Sequence, residues 1–560
     1  MRWADGVPST RRLQLPVWNA LYQVRDFSQY IFDISARDAN GNPVVLQQLD
    51  KSTWQGRSVA QVDYDVAAQL PGPFGAQVSP DHAFLNFAEI LMYAVDGRTV
   101  PAVVHFENVP QGWSIATILK PASGSSTFEA DSYDKLVDAP AEIGRFRELS
   151  FDDGRTQYHI AIDASPGDYD AKAIEDSVRQ IVKTEVDWMR DQPCSEYLFV
   201  YHFPRGSGGG GMEHACSAAI DVSADRLAAD LGSLQGVTAH EFFHLWNVKR
   251  IRPQTLEPVD YTKEQYTRAL WFSEGVTSTV EDYILLRAGM IGEKEYLRRL
   301  GSQINTLQNR SAHRTQSAEE SSLETWFDKY PYYRRPERSI SYYDKGEILG
   351  VMLDLAMREE THGAKTLRCL FLWMNDNYAK RGRFFADSEG IEQAVEVVTG
   401  KDFKDFFRDY VAGTEEIPYD RYLNTAGLQL SEDKVTVADA GFTAGHNFDG
   451  FPVVTEVTQG SEAERSGLEL GDTITELGGK RTANPADVIA SMKPGDVITA
   501  KVRSGPRGDE RQVKFALGSR EETVYSIVEV DRPTEAQLAR RSEWLQGPTD
   551  VTTACTEACR

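Results

Sequence analysis

From about Leu13 to Ile162 the chain alternates apolar and polar positions in short runs such as "QYIFDISA", "TVPAVVHF" and "TQYHIAI". Turn formers such as "NGNP" and "DGRT" separate them. A period of two bounded by Gly, Pro, Asn and Asp predicts strands, so residues 1–164 are expected to form an antiparallel β domain. After "DASPGDYD" the period changes. Ala171 to Arg190 places apolar residues at helical spacing and stops before Asp191 and Pro193, which opens a second domain over 165–426. There "SEYLFVYHF" predicts a strand, and it runs into the glycine-rich "PRGSGGGGM", a loop or a close backbone approach. Helical spacing then dominates from Leu234 to Tyr410. It predicts a helix through "VTAHEFFHLWN", one from Ser273 to Ala288 closed by Gly289, and one through "DKGEILGVMLDLAMRE". Short β-type runs return beyond Gly427 around the helical "NPADVIASM", marking a third unit over 427–531 and leaving 532–560 as a C-terminal tail. The fold class expected is a multidomain α+β protein.

Composition narrows the function classes. With 84 acidic against 60 basic residues the formal charge is −24, which disfavours binding to nucleic acid or to anionic lipid. No stretch reaches the roughly 20 apolar residues of a spanning helix; "EILGVMLDLAM" is short and broken by Asp354. The first residues lack the apolar core of a signal peptide, so the expected compartment is the cytoplasm, with a periplasmic or secreted location as the alternative for a processed chain. The 5 cysteines, Cys194, Cys216, Cys369, Cys555 and Cys559, are odd in number and sparse, which predicts thiols rather than disulfides.

The chemistry concentrates in "VTAHEFFHLWNVKRIRP". On a helix, residues four apart share a face, so His240 and His244 can aim ring nitrogens at one ion while Glu241 lies about 100° round, within reach of a water beside it. An H-acid-x-x-H arrangement arises by chance roughly (10/560)² × 84, or about 0.03, times per chain of this composition. A catalytic zinc site uses three protein ligands and an open position. Glu257, Glu264, Glu274, Glu281 and Asp282 are candidates for the third. Glu274 stands out because "LWFSEGVTSTVEDYILL" sets its carboxylate among Trp271, Phe272 and Val276, where a buried charge needs a partner. The alternative for Glu274 is a half-exposed residue favoured by the helix N-terminus.

"HEFFHLWNVKRIRP", "LWFSEGVT", "KLVDAPAEIG" and "GGGGMEHACS" together closely resemble the glycyl aminopeptidase family of gluzincin zinc metallopeptidases, over nearly the whole chain. The resemblance implies an N-terminal β domain, a thermolysin-like, mainly helical catalytic domain and a C-terminal PDZ domain. It implies one Zn²⁺ held by His240, His244 and Glu274, with Glu241 as catalytic base. "YDKG" resembles a segment of related gluzincins whose tyrosine stabilises the oxyanion, which selects Tyr343 over Tyr342. "GGGGMEHA" resembles a substrate-binding edge strand, giving Gly211 and Met212 as cleft lining and Glu213 as the partner of a substrate ammonium; the alternative is a linker with a surface glutamate. "SEAERSGLELGDTITELGG" carries the PDZ likeness, with "NFDGFPVV" around Gly450 and Phe451 as the place for a carboxylate-binding loop. One departure is that Asn19-Ala20-Leu21 replaces the family's proline-glycine turn after the tryptophan. Lys249, Arg250 and Arg252 stay open between binding a substrate carboxylate and pairing with nearby acids.

The leading expectation is a zinc aminopeptidase acting on peptides with a free N-terminal Gly or Ala. The PDZ domain would offer a site for a peptide end or strand. Two alternatives are an endopeptidase with the same centre and a PDZ-type scaffold with an idle metal site.

Overall fold

The computed structural model describes residues 1–3, 8–19, 22–205, 209–446, 451–481, 484–504, 508–547 and 555. Ala20, Leu21, part of the glycine run, Gly450 and Cys559, all singled out above, lie outside these. In the N-terminal region the strands pair antiparallel, among them Thr10–Gln14 with Thr53–Arg57 and His82–Leu85 with Ala141–Gly144. Phe87, Tyr93, Phe128, Tyr133 and Ile143 pack into its core. The alternation read from the sequence is therefore realised.

The boundary of this region differs from the expected 164. Arg147–Asp152 and Gln157–Asp163 join a five-stranded sheet with Glu196–His202, Ser217–Val222 and, at its edge, Gly209–Glu213. Gln157–Asp163, Glu196–His202 and Ser217–Val222 run parallel, and the two outer strands antiparallel. Residues 147–163 thus belong with the sheet of the second unit. Strand periodicity marks a strand but carries no record of which sheet it joins.

One face of this sheet packs on helix Ala171–Met189, whose start is capped by the Asp170 side chain, and on helix Gly232–Phe243. A single large core continues from there through helices Val276–Arg287, Glu293–Gln308 and Tyr342–Glu360. Gly289 follows the first of these three with φ +71°, a backbone shape glycine adopts without penalty. Ser341 caps Tyr342–Glu360 through the Asp344 amide.

Beyond Gly427, Leu428–Asp439 and Gly518–Glu529 pair over 12 residues as an antiparallel ribbon. The ribbon carries a five-stranded antiparallel sheet with its own core around Val454, Ile474, Val502 and Phe515. Among the described residues of the expected tail from 532, Glu535–Gln546 form a helix. This helix, opened by a Thr534–Gln537 capping box, returns to the helices of the second unit. There it buries Trp544 completely, with Nε1 donating to the Tyr283 hydroxyl at 2.7 Å.

Two disulfides, Cys194–Cys216 and Cys369–Cys555, correct the expectation of free thiols. Counting cysteines missed them because both pairs are long-range, 22 and 186 residues apart, and each is set by the fold. Among the described residues, no helix is long and apolar enough to cross a membrane.

Candidate metal centre

The helix Gly232–Phe243 carries His240 and Glu241 on its last turn, and His244 caps its end. Facing it, Trp271–Gly275 forms a turn of π-helix that leads into Val276–Arg287 and presents Glu274. Single π turns recur at functional sites because the extra residue re-aims a side chain. The Nε2 atoms of His240 and His244 lie 3.5 and 3.3 Å from the same Glu274 Oε2. Donor atoms held tetrahedrally at about 2.1 Å from one zinc ion are about 3.4 Å apart, so the trio fits such an ion.

The opposite ring nitrogens are also engaged, which fixes how each ring points. His240 Nδ1 lies 3.3 Å from Glu281 Oε2, and His244 Nδ1 lies 3.1 Å from the Asn247 carbonyl. Asn247, fully buried, donates through Nδ2 to the carbonyls of Phe272 and Ser273 and to Thr277 Oγ1 at 3.0, 3.2 and 2.9 Å. One residue therefore ties the histidine helix to the turn that carries Glu274. The sequence alone points neither to Asn247 nor to an orienting role for Glu281. By sequence Glu281 is a candidate ligand, but it faces the far side of the His240 ring.

The electrostatics suit a cation. Burial pushes the His240 and His244 pKa values down, yet the facing carboxylates outweigh it and raise both. Burial likewise pushes Glu274 up, but the two imidazoles hold it well below the usual carboxylate range. Glu241 is driven up to about 7, mainly by burial, and its Oε2 has no hydrogen-bond partner among the described residues. An orphaned, buried carboxylate oxygen beside two ring nitrogens is an acceptor held ready for a proton.

The other expected site residues surround this group. Gly211, Met212 and Glu213 lie on the edge strand, and Glu213, Glu241 and His244 offer ligand atoms within 4.8 Å of one another. A Cβ on Gly211 would sit 2.3 Å from the Glu241 side chain, so only glycine leaves Glu241 its place. A small cavity of about 80 Å³ adjoins Glu213, lined by Trp18, Tyr22, Met212, Val248 and Tyr261. The Tyr343 ring faces His240 at 6.2 Å between centroids and is half exposed, while Tyr342 bonds Thr325 Oγ1 at 3.2 Å. Gly275 and Gly346 let the tyrosine helix approach the π turn. A Cβ on Gly346 would lie 2.2 Å from the Trp271 carbonyl, a close contact that no sequence pattern announces.

The basic run after the metal helix proves to be bonded within the protein. Lys249 Nζ bonds Asp138 at 2.7 Å, Arg250 the carbonyls of Leu245 and Ala215, and Arg252 that of Leu256. Each of these cations thus has a partner within the fold, while Lys249 and Arg252 also line the small cavity beside Glu213.

Comparison with known proteins agrees with the architecture. Residues 233–349 match the model described as M61 glycyl aminopeptidase, and residues 5–145 match the peptidase M61 N-terminal domain. The second match ends where the five-stranded sheet begins. No curated protein matches the chain. A crystal structure of an aminopeptidase N family protein from Idiomarina loihiensis superposes with a TM-score of 0.80 at 24% identity, over 97% of this chain and 96% of that one. At that identity the likeness speaks for the fold.

Proposed function

We propose that this chain, which belongs to the M61 glycyl aminopeptidase family and is a metallopeptidase, is a zinc-dependent aminopeptidase that releases Gly or Ala from the N-terminus of peptides. The observation that carries the reading is the convergence of His240 and His244 Nε2 on Glu274 Oε2, with the unpartnered Glu241 carboxylate oxygen alongside. A Zn²⁺ ion held by that trio supplies a Lewis acid for the scissile carbonyl and lowers the pKa of water.

The chain's own residues do the rest. Glu241 takes a proton from the attacking water and passes it to the departing amine, a task suited to a carboxylate whose pKa stands at about 7. Tyr343 donates its hydroxyl hydrogen to the oxyanion as charge develops. The free edge of Gly209–Glu213 accepts the substrate backbone as an added strand, its glycines giving room for close approach. Glu213 pairs with the α-ammonium, and the adjoining cavity admits only a small first side chain.

The ribbon-borne sheet over 427–531 is read as a PDZ domain that takes a peptide end or strand. The two disulfides favour an oxidising compartment, and so the periplasmic or secreted alternative over the cytoplasm.

The test is hydrolysis of glycyl and N-acetyl-glycyl chromogenic amides alongside metal analysis. The wild type is expected to cleave only the free amine and to carry zinc. Glu241→Gln is expected to keep the metal and lose at least about a hundredfold in rate. Full activity in Glu241→Gln, or equal cleavage of the acetylated amide, defeats the proposal.

A further inference from the structure

A second group of metal-ligating side chains lies outside the catalytic centre, where the N-terminal region meets the five-stranded sheet. His82 and Glu142 come from paired strands of the N-terminal region. Asp163, His202 and Asp221 occupy one row across three adjacent parallel strands, since the register pairs Asp163 with His202 and His202 with Asp221. Glu142 is completely buried between the two rings. Its Oε1 is 3.1 Å from His82 Nδ1 and its Oε2 is 3.0 Å from His202 Nε2. Asp163 Oδ2 is 3.4 Å from His82 Nδ1.

Three features distinguish this from an ordinary polar contact. His82, Glu142 and His202 each offer a donor atom within 4.8 Å of the other two, the same mutual convergence that His240, His244 and Glu274 show. Asp221 Oδ1 lies 3.0 Å from His202 Nδ1, so it accepts that proton and leaves Nε2 free as a donor atom, the carboxylate–histidine arrangement of metal sites. Three carboxylates surround two imidazoles in a largely buried place, an excess of negative charge that a divalent cation offsets.

We propose that His82, Glu142 and His202 form a second divalent-metal site, of the class that binds zinc, which clamps the N-terminal region onto the catalytic sheet. Two imidazoles with carboxylates suit zinc better than calcium or magnesium, which favour all-oxygen shells. The site's place where strands of the N-terminal region meet the five-stranded sheet suits a structural role, with Asp163 beside His82 as a further carboxylate. The position has a consequence for the cleft, because Asp221 pairs in register with Gly210 of the substrate-edge strand. An ion held here steadies the sheet row that this strand extends.

The full chain is loaded with excess zinc, desalted, and its zinc-to-protein ratio measured by mass spectrometry. Wild type is expected to hold two ions. His82→Gln, a partly accessible and mild change, is expected to hold one and to keep hydrolysis of the glycyl amide. His244→Ala is expected to lose activity yet retain one ion. That arm decides the matter even where His82→Gln fails to fold. A wild type with one ion that His244→Ala removes entirely, or a ratio of two after His82→Gln, overturns the second site.

Discussion

Gly211→Ala separates catalysis from folding more cleanly than any ligand substitution. The added methyl would lie 2.3 Å from Cγ, Cδ and Oε1 of Glu241, whereas ordinary contact begins at 3.4 Å, so the carboxylate must move by about 1 Å. The obstructing atoms are a side chain's far end, which can turn away, and Gly211 does not have the positive φ of its neighbour Gly210. Stability should therefore change by about 1 kcal/mol or less. A misplacement of about 1 Å costs roughly a hundredfold in rate, and complete loss of a general base costs ~10²–10⁴. The expected drop in kcat/KM is thus ~10²–10⁴, or about 3–5 kcal/mol in the barrier. Steady-state hydrolysis of a glycyl amide measures it, with melting temperature and metal content recorded on the same preparation. Both should match wild type, because His240, His244 and Glu274 are untouched. Gly292→Ala, away from the cleft, is the control, since an added methyl there would meet nothing within 4 Å and its φ of −97° suits alanine, and it should behave as wild type. A Gly211→Ala protein with more than half the wild-type kcat/KM would refute the role assigned to Glu241.

Tyr343→Phe should lower kcat by ~10²–10³ with little change in KM, while Tyr342→Phe, whose hydroxyl bonds Thr325, should stay within a fewfold of wild type in the same assay. Trp544→Ala removes a fully buried ring and its bond to Tyr283; a loss of about 3–5 kcal/mol in denaturant unfolding is expected, with the active site's metal and rate preserved. Asp138→Asn tests the seam beside the cleft. Burial pushes the Asp138 carboxyl up, but the Lys249 ammonium and His214 outweigh it and hold it well below the usual range. A depressed carboxylate stabilises the fold above its unfolded pKa of about 4, and that contribution fades as the pH falls below it. Asp138→Asn should therefore be less stable than wild type at about pH 7, with the difference shrinking between about pH 4 and 2 in thermal melts.

The metal helix is legible in the sequence because its evidence is local: two histidines four apart, an acid between them and an apolar back face are all properties of one helix. Glu274 is legible as a charge among aromatic residues, though not the π turn that aims it. The rest depends on which segments meet. Asn247 stands in "HLWNVKR", yet its work lies in bonds to Phe272, Ser273 and Thr277, 25 to 30 residues further on. Gly275 and Gly346 look like ordinary helix glycines until their backbones are found in contact. The helix Glu535–Gln546 is too short to hold itself in water, and it forms because Trp544 and Leu545 find a core to enter. The hairpin of Arg147–Asp152 and Gln157–Asp163 reads as strands, but its unit is set by a sheet whose other members lie up to 60 residues downstream, beyond the reach of local periodicity.

The cleft itself belongs to two units. Asp138, just past an N-terminal helix, accepts from the Ala215 amide at 2.9 Å and from Lys249 Nζ at 2.7 Å. Ala215 follows Glu213 by two residues and Lys249 follows His244 by five, so one N-terminal carboxylate holds both the substrate strand and the end of the metal helix in place. Arg250 bonds the Ala215 carbonyl from the other side, and Cys216 is bonded to Cys194. The loop after Glu213 is thereby fixed at three successive points. Trp18 and Tyr22, from the N-terminal region, wall the small cavity that Glu213 adjoins. On the proposed function, metal binding by His240, His244 and Glu274 needs only the helical unit, whereas selection of a short first residue with a free amine would need both. Changes at Asp138, Trp18 or Tyr22 should accordingly raise KM before they lower the metal content of the His240, His244 and Glu274 centre, the reverse of the order expected for changes at those three residues.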